Sequence, residues 1–123
     1  MMPSTTSIAK GDVVLVGFQF EAPPYSPAPE VKRRPCVVLS SDWYHTGRGE
    51  AILIAVTSNQ ARPLLPGEFR LSRWSEAGLL KPSTVTMILR TVKQSAILSK
   101  LGRLMDEELI RVDENLRRAV GLR

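Results

Sequence analysis

The segment Ala51–Thr57, AILIAVT, is the feature that most constrains the fold. It has the length of one strand and carries apolar side chains at nearly every position, without polar alternation. Such a strand is expected to be covered on both of its faces. Since no helical pattern adjoins it, the covering layers should be other strands, which favours a β-sandwich or a barrel.

The other strong patterns also predict strands, and a helix comes last. After a turn at Gly11-Asp12, strands are predicted at Val13–Phe20, Cys36–Leu39, Glu68–Leu71 and Ser83–Val92. Residues 106–120 predict an amphipathic helix, with Asp106 as its N-cap. The chain is therefore expected to be one mainly β domain with a C-terminal helix, spanning residues 10–123 after a flexible segment at residues 1–9.

Four weaker segments carry more modest expectations. Residues 21–34 contain four prolines and predict a long, partly stiff surface loop. Residues 42–49 predict a turn, with His45 as a surface histidine. Trp74–Leu80 has the spacing of a short helix, and Gln94–Lys100 predicts one or two helical turns that end before Gly102.

Composition bounds the class of protein. The chain has 123 residues, of which 43% are hydrophobic and 24% charged, as expected for one globular domain. Its apolar runs are too short to cross a bilayer, and residues 1–9 lack a signal-peptide pattern, so a cytoplasmic location is expected. A single cysteine, Cys36, excludes an internal disulfide and is expected to be buried packing. The net charge of +5 suits an acidic partner such as nucleic acid.

Several kinds of chemistry have no motif here. The sequence contains no phosphate-binding P-loop, no dinucleotide fingerprint and no serine-hydrolase elbow. One cysteine and one histidine cannot complete a zinc site by themselves. The acidic pairs Glu107-Glu108 and Asp113-Glu114 fall on the polar side of the predicted helix. No metal or organic cofactor is therefore expected.

Two strand ends are the places where polar chemistry gathers. Arg34-Pro35 precedes the second predicted strand, and Thr57–Gln60 follows the third. If these strands pair antiparallel, Arg34 and Thr57 become neighbours at one edge of the sheet. A guanidinium offers a planar fork to phosphate oxygens, and a hydroxyl can donate to a phosphoryl oxygen. The alternative is that Arg34 is an ordinary loop cation and that Thr57 and Ser58 cap a turn.

The order of three segments carries a resemblance to a known family. GDVVLVGFQF, KRRPCVVLSSDWY and AILIAVTSN, with EAGLLKPSTVTMILRTVKQSAILSKLGRL further on, resemble the PemK/MazF family of toxin endoribonucleases. The likeness spans roughly residues 9–120. It implies a small antiparallel SH3-like barrel of the PemK/MazF/CcdB kind, followed by a helix, and a homodimer.

The resemblance also implies an activity and its residues. Members of the family cut single-stranded RNA at short sequences without a metal, and a cognate antitoxin protein blocks them. The essential arginine and hydroxyl residue correspond to Arg34 and Thr57, with Ser58 adjacent. The ribose 2′-hydroxyl is the expected nucleophile, giving a 2′,3′-cyclic phosphate and a 5′-hydroxyl. Candidate RNA-binding residues flank these positions and lie in the preceding loop: Tyr25, Lys32, Arg33, Asn59 and Gln60.

One departure keeps other functions open. The loop between the first two predicted strands is longer than in many members, and prolines fill residues 22–29. Because this loop governs access of RNA and antitoxin in the family, the target sequence is not predicted. The alternatives are a non-catalytic nucleic-acid-binding module and a toxin that binds a protein target, like a gyrase poison. Neither alternative requires Arg34 and Thr57 together.

Overall fold

The computed structural model describes residues 7–20 and 30–123, with side chains for residues 7–17 and 32–123. The strands and helices follow in chain order: β1 Asp12–Phe20, β2 Glu30–Val38, α1 Asp42–Arg48, β3 Glu50–Thr57, β4 Phe69–Arg70, β5 Thr84–Lys93, a 3₁₀ turn Gln94–Ala96, β6 Ile97–Arg103 and α2 Asp106–Val120. The six strands form one antiparallel sheet in the order β4-β5-β3-β2-β1-β6. The predicted antiparallel β fold with a C-terminal helix is confirmed.

The third strand lies inside the sheet and has a packed core on each face. Ala51 and Leu53 belong to one cluster of buried side chains, with Val14, Val16 and Val38 from the neighbouring strands among its members. Ile54 and Val56 belong to the other cluster, which α2 covers through Val112. The prediction that β3 is covered on both faces is therefore correct, because alternate side chains enter different cores.

The second strand is longer than predicted. β1 continues to Phe20 and pairs there with Glu30, so β2 begins at Glu30 rather than at Cys36. The cations Lys32, Arg33 and Arg34 therefore lie within a strand and not in a loop. The prolines at residues 22–29, with Tyr25, lie outside the described residues.

The segment after β2 is a helix rather than a turn, and its histidine is buried. α1 spans Asp42–Arg48, and His45 is 7% exposed. His45 Nε2 lies 2.6 Å from the Ser40 hydroxyl, which accepts a hydrogen bond from the Ile52 amide at 2.9 Å. The expectation of a surface histidine is wrong, because the buried His45 side chain bonds Ser40, and Ser40 in turn connects α1 to β3.

The helical expectations near the end of the chain also change. Only Gln94–Ala96 is helical, as a 3₁₀ turn, and residues 97–103 form β6 against β1. Trp74–Leu80 forms turns that end at Gly78, whose φ of +92° favours glycine. α2 has the predicted bounds, but Asp106 is its first residue and makes no side-chain cap, since Met105 occupies the N-cap position.

Two residues before position 10 make contacts with the sheet. Ile8 is buried in the core cluster with Val14 and Val16, and the Ala9 amide donates to Asp12 at 2.8 Å. The packed chain thus includes residues before position 10. Among the helices that the structure describes, none is both long and apolar enough to span a membrane.

A close backbone contact yields a prediction about stability. A Cβ on Gly102 of β6 would collide with the Ala77 carbonyl, whereas a Cβ on Gly47 of α1 would meet nothing within 4 Å. We expect Gly102→Ala to lower the free energy of unfolding by about 1–3 kcal/mol through overpacking. Gly47→Ala, inside a helix, should raise it by about 0.5–1 kcal/mol. Urea unfolding of both variants tests this, and equal shifts would contradict the contact.

Candidate active site

One pocket of about 580 Å³ opens beside the middle of β2 and the C-terminal end of β3. Its floor is apolar, with Cys36, Leu53 and Ala55, and polar side chains surround this floor. The lining comprises Arg34, Pro35, Cys36, Leu53, Ala55, Val56, Thr57, Ser58, Asn59, Arg62, Ser83, Thr86, Ile88 and Arg90. The lining therefore combines cations, hydroxyls and an amide around an apolar floor.

Strand pairing places Arg34 and Thr57 on the same face of the sheet. Cys36 lies opposite Ala55 in the antiparallel β2–β3 ladder, and opposite residues share a face. The ladder ends at this pair, and by strand alternation Arg34, two residues before Cys36, and Thr57, two residues after Ala55, project to the same face. Both side chains line the pocket, so the sequence-predicted pair is brought together.

In the described part of the chain, no acidic side chain holds the Arg34 guanidinium. Arg34 is exposed, and among the residues that the structure describes its side chain makes no ion pair or hydrogen bond. On β1 it lies opposite Val16, which is fully buried and offers no charge. The positive charge is therefore free to meet an anion entering from solvent.

The hydroxyl of Thr57 is ordered by the turn that follows β3. Thr57 Oγ1 accepts a hydrogen bond from the Asn59 amide at 3.2 Å, and Asn59 Oδ1 accepts from the Ala61 amide at 3.0 Å. In each bond a side-chain oxygen accepts from the amide two residues further on, which is the pattern of ST and Asx turns. Thr57 therefore caps the turn, which is the alternative that the sequence left open. Because Thr57 serves there as an acceptor, its O–H can still donate to a ligand. Ser58 and Asn59 are exposed at the pocket rim.

The remaining predicted residues lie elsewhere. Lys32 and Arg33 do not line the pocket, and Arg33 alternates to the opposite face from Arg34. Gln60 also lies outside the lining: its amide donates to Thr84 Oγ1 at 3.2 Å and accepts from Arg70 at 3.1 Å. These bonds join the loop to β4 and β5, and the RNA contact of Gln60 stays a prediction. Tyr25 is outside the described residues.

A bulge between β3 and β5 brings in residues that the sequence analysis missed. Ile54 pairs with Leu89 and Val56 with Val85, so Ala55 faces the three residues 86–88. Thr86 closes this bulge, because its hydroxyl donates to the Ala55 carbonyl at 2.7 Å and accepts from the Ile88 amide at 3.1 Å. Bulges of this kind re-aim side chains next to binding sites.

Two missed arginines also reach the pocket. Arg90 lies opposite Leu53 on β5, and Arg62 comes from the loop after β3. A cation between apolar and β-branched residues of β5 was a signal that could have identified Arg90. Arg62 had no such signal, since it lies in a polar loop.

The cysteine at the floor is a packing residue and not a nucleophile. Cys36 is 1% exposed, and burial raises the pKa of its thiol to about 12, although the nearby Arg90 charge acts in the opposite direction. A thiol attacks only as its thiolate. In the part of the chain that the structure describes, no group of three His, Cys, Asp or Glu residues is placed to hold a metal ion.

A family model decides the classification. The model described as the PemK-like, MazF-like toxin of type II toxin–antitoxin systems matches residues 9–120. The chain belongs to this toxin family. A search of curated protein sequences found no match.

Solved structures share the fold. The MazE–MazF complex from Deinococcus radiodurans has a TM-score of 0.69 at 21% identity, covering 94% of this chain and 98% of that chain. An endoribonuclease in complex with its cognate antitoxin from a mycobacterial species has a TM-score of 0.69 at 14% identity, with 95% and 98% covered. The Mycobacterium tuberculosis toxin MazF-mt6 has a TM-score of 0.68 at 17% identity, covering 91% of this chain and 98% of that chain. At such identities the likeness establishes the fold alone.

The bulge yields a prediction. Thr86→Val keeps the shape of the side chain but leaves the Ala55 carbonyl and the Ile88 amide without their shared partner. We expect a loss of about 1–3 kcal/mol in the free energy of unfolding. Thr91→Val, at an exposed position of the same strand, is the matched control and should stay within about 0.5 kcal/mol of the parent. Similar losses in the two variants would show that the hydroxyl does not hold the bulge.

The raised pKa of Cys36 leads to a prediction about the reactivity of its thiol. At about pH 8.5, iodoacetamide should alkylate the native protein at least a hundredfold more slowly than the unfolded chain, because the buried thiol stays protonated. Mass spectrometry after timed quenching gives both rates. Comparable rates would mean that the thiol is accessible and ionised at the pocket floor.

Proposed function

We propose that this toxin is an endoribonuclease that cuts single-stranded RNA at short sequences without a metal ion. The observation that carries the proposal is the placement of Arg34 and Thr57 in one open pocket, with the guanidinium not neutralised by a described acidic side chain. A fixed cation beside a hydroxyl donor suits a phosphodiester, which bears its charge on two exposed oxygens.

The proposed reaction needs charge stabilisation more than a covalent catalyst. The ribose 2′-oxygen attacks the adjacent phosphorus and loses its proton, while the bond from phosphorus to the 5′-oxygen breaks and that oxygen gains a proton. The products are a 2′,3′-cyclic phosphate and a 5′-hydroxyl. Arg34 stabilises the extra negative charge on the phosphorane, and Thr57 donates to a non-bridging oxygen.

Other pocket residues contribute binding rather than chemistry in this proposal. Ser58 and Asn59 at the rim supply a hydroxyl and an amide beside Thr57, and Arg90 adds positive charge on the β5 side. Lys32 and Arg33 extend the cationic stretch along β2 and are proposed to attract the RNA backbone outside the pocket. Such contacts make binding salt-dependent.

The proposed partners follow from the family and from solved relatives. Structures of the same fold include a MazE–MazF complex and an endoribonuclease bound to its cognate antitoxin. We propose that a cognate antitoxin likewise inhibits this protein, which acts as a cytoplasmic homodimer. Co-expression with any small acidic protein encoded beside this gene, followed by co-purification, tests the antitoxin directly.

Cleavage in the presence of EDTA tests the activity. We expect purified protein to cut a mixed-sequence RNA in EDTA and to leave cyclic phosphate and 5′-hydroxyl ends. Arg34→Ala and Thr57→Ala should each reduce the rate by about 10²–10³, the usual cost of one lost electrostatic donor. Arg48→Ala and Thr46→Ala, at exposed positions of α1, are matched controls that should cleave at the wild-type rate.

Two outcomes would count against the proposal. Cleavage that needs magnesium would exclude the metal-free mechanism, and cleavage that survives Arg34→Ala would remove its central residue. Salt-dependent RNA binding without any product would favour a non-catalytic binding module instead. The absence of both cleavage and RNA binding would favour a toxin that acts on a protein target.

A further inference from the structure

We propose that Arg62, held in place by the buried carboxylate of Glu68, is a second phosphate-binding residue of the pocket. It would bind an RNA phosphate next to the one that Arg34 holds. The inference rests on the proposed function and extends it from one phosphate to two. Neither residue belongs to the strand ends that the sequence singled out.

Arg62 is placed at the pocket by an ion pair. It lies five residues after Thr57, in the loop that joins β3 to β4, and it lines the pocket. Its Nη2 donates to Glu68 Oε2 at 2.7 Å, and one third of its side chain remains exposed. A guanidinium has five N–H donors, and this bond uses one of them. The same side chain can therefore be anchored by Glu68 and still bind a phosphate.

Glu68 is built into the loop rather than resting on its surface. Its side chain is 4% exposed, and its Oε1 accepts from the Leu65 amide at 3.0 Å. The Glu68 amide in turn donates to the Leu65 carbonyl at 3.0 Å. Each carboxylate oxygen of Glu68 thus accepts a hydrogen bond, one from the Leu65 amide and one from Arg62. Because the loop fixes Glu68, the bond to Oε2 also fixes the position of Arg62.

The ionised state of Glu68 makes this anchor permanent near neutral pH. Burial by itself would raise the pKa of Glu68, but the Leu65 amide and the Arg62 guanidinium outweigh it and hold the pKa below its ordinary value. A carboxyl with a lowered pKa stabilises the fold above its unfolded pKa, and this stabilisation is lost as the pH falls through the folded pKa. The anchor should therefore persist at every pH at which RNA cleavage is assayed.

A second ion pair shows what a purely structural arrangement looks like in this chain. Arg73 bonds Glu76 and Glu107, and all three side chains are at least 40% exposed and lie away from the pocket. Surface pairs of this kind contribute little. Arg62 differs because its partner is buried and because the arginine itself faces the pocket that contains Arg34.

The competing role for Arg62 is to neutralise Glu68 and nothing more. Arg62→Gln alone cannot separate the two roles, because it leaves a buried carboxylate unpaired. The double variant Arg62→Gln/Glu68→Gln removes both charges together and keeps two side chains that can hydrogen-bond. If Arg62 only neutralises Glu68, the double variant should bind RNA as the wild type does.

The experiment measures binding without cleavage. The probe is a fluorescent, single-stranded RNA of mixed sequence with 2′-O-methyl riboses, which have no free 2′-hydroxyl to attack the phosphate. Fluorescence anisotropy gives its Kd at several salt concentrations. We expect the double variant to bind about tenfold to a hundredfold more weakly, with the slope of log Kd against log salt reduced by about 0.7, the value for one phosphate contact. Arg73→Gln, the matched control, should keep the wild-type Kd and slope.

A further variant covers the case that the double variant does not fold. Arg62→Lys keeps a cation beside Glu68 but loses the planar fork, so we expect an unchanged Tm and a Kd raised severalfold. An unchanged Kd and salt slope in the double variant, or an unchanged Kd in Arg62→Lys if the double variant does not fold, would overturn the inference. The proposed function would then still stand, since cleavage by the wild type is measured separately. If wild-type protein does not bind this RNA, the inference fails, and if it also does not cleave unmodified RNA, the proposed function fails with it.

Discussion

The change of register between β3 and β5 is the constraint on which the pocket depends. If the ladder continued unbroken past Ile54, Ala55 would face Ile88 alone, and β5 would bring no extra residues to the pocket. Instead, Thr86 bonds both the Ala55 carbonyl and the Ile88 amide, so the extra residues are fixed in an ordered bulge. Pairing resumes at Val56 and Val85, so the bulge adds residues to the pocket lining without leaving the Ala55 carbonyl and the Ile88 amide unpaired.

The charges around this floor follow from the order of the strands in the sheet. Arg34 and Arg90 project from strands on either side of β3, so the sheet itself fixes the separation of their backbones. In the described part of the lining, arginines supply all of the charge, and Cys36 beneath them stays neutral. Cations above low-dielectric walls concentrate their field in the opening, which favours an incoming anion over a neutral ligand.

Local patterns in the sequence predicted the elements that are decided by burial. The apolar run of β3, the stripe of α2 and the antiparallel pairing of β2 with β3 are all visible in one short window or in two adjacent ones. β6 was missed because its side chains are mostly exposed and its partner, β1, is distant in the chain. Arg62 was missed because its position depends on Glu68, and no spacing rule connects a loop arginine to a carboxylate that becomes buried only after folding.

The length of the bulge has an evolutionary consequence. Opposite one residue of β3, β5 carries three, so the excess is two, an even number. An even excess preserves the parity of the strand, and Thr86, Ile88 and Arg90 consequently all project to the same side. A deletion or insertion of a single codon here would reverse that parity and turn Arg90 toward the opposite face. Natural length variation at this point of the family should therefore occur in steps of two residues.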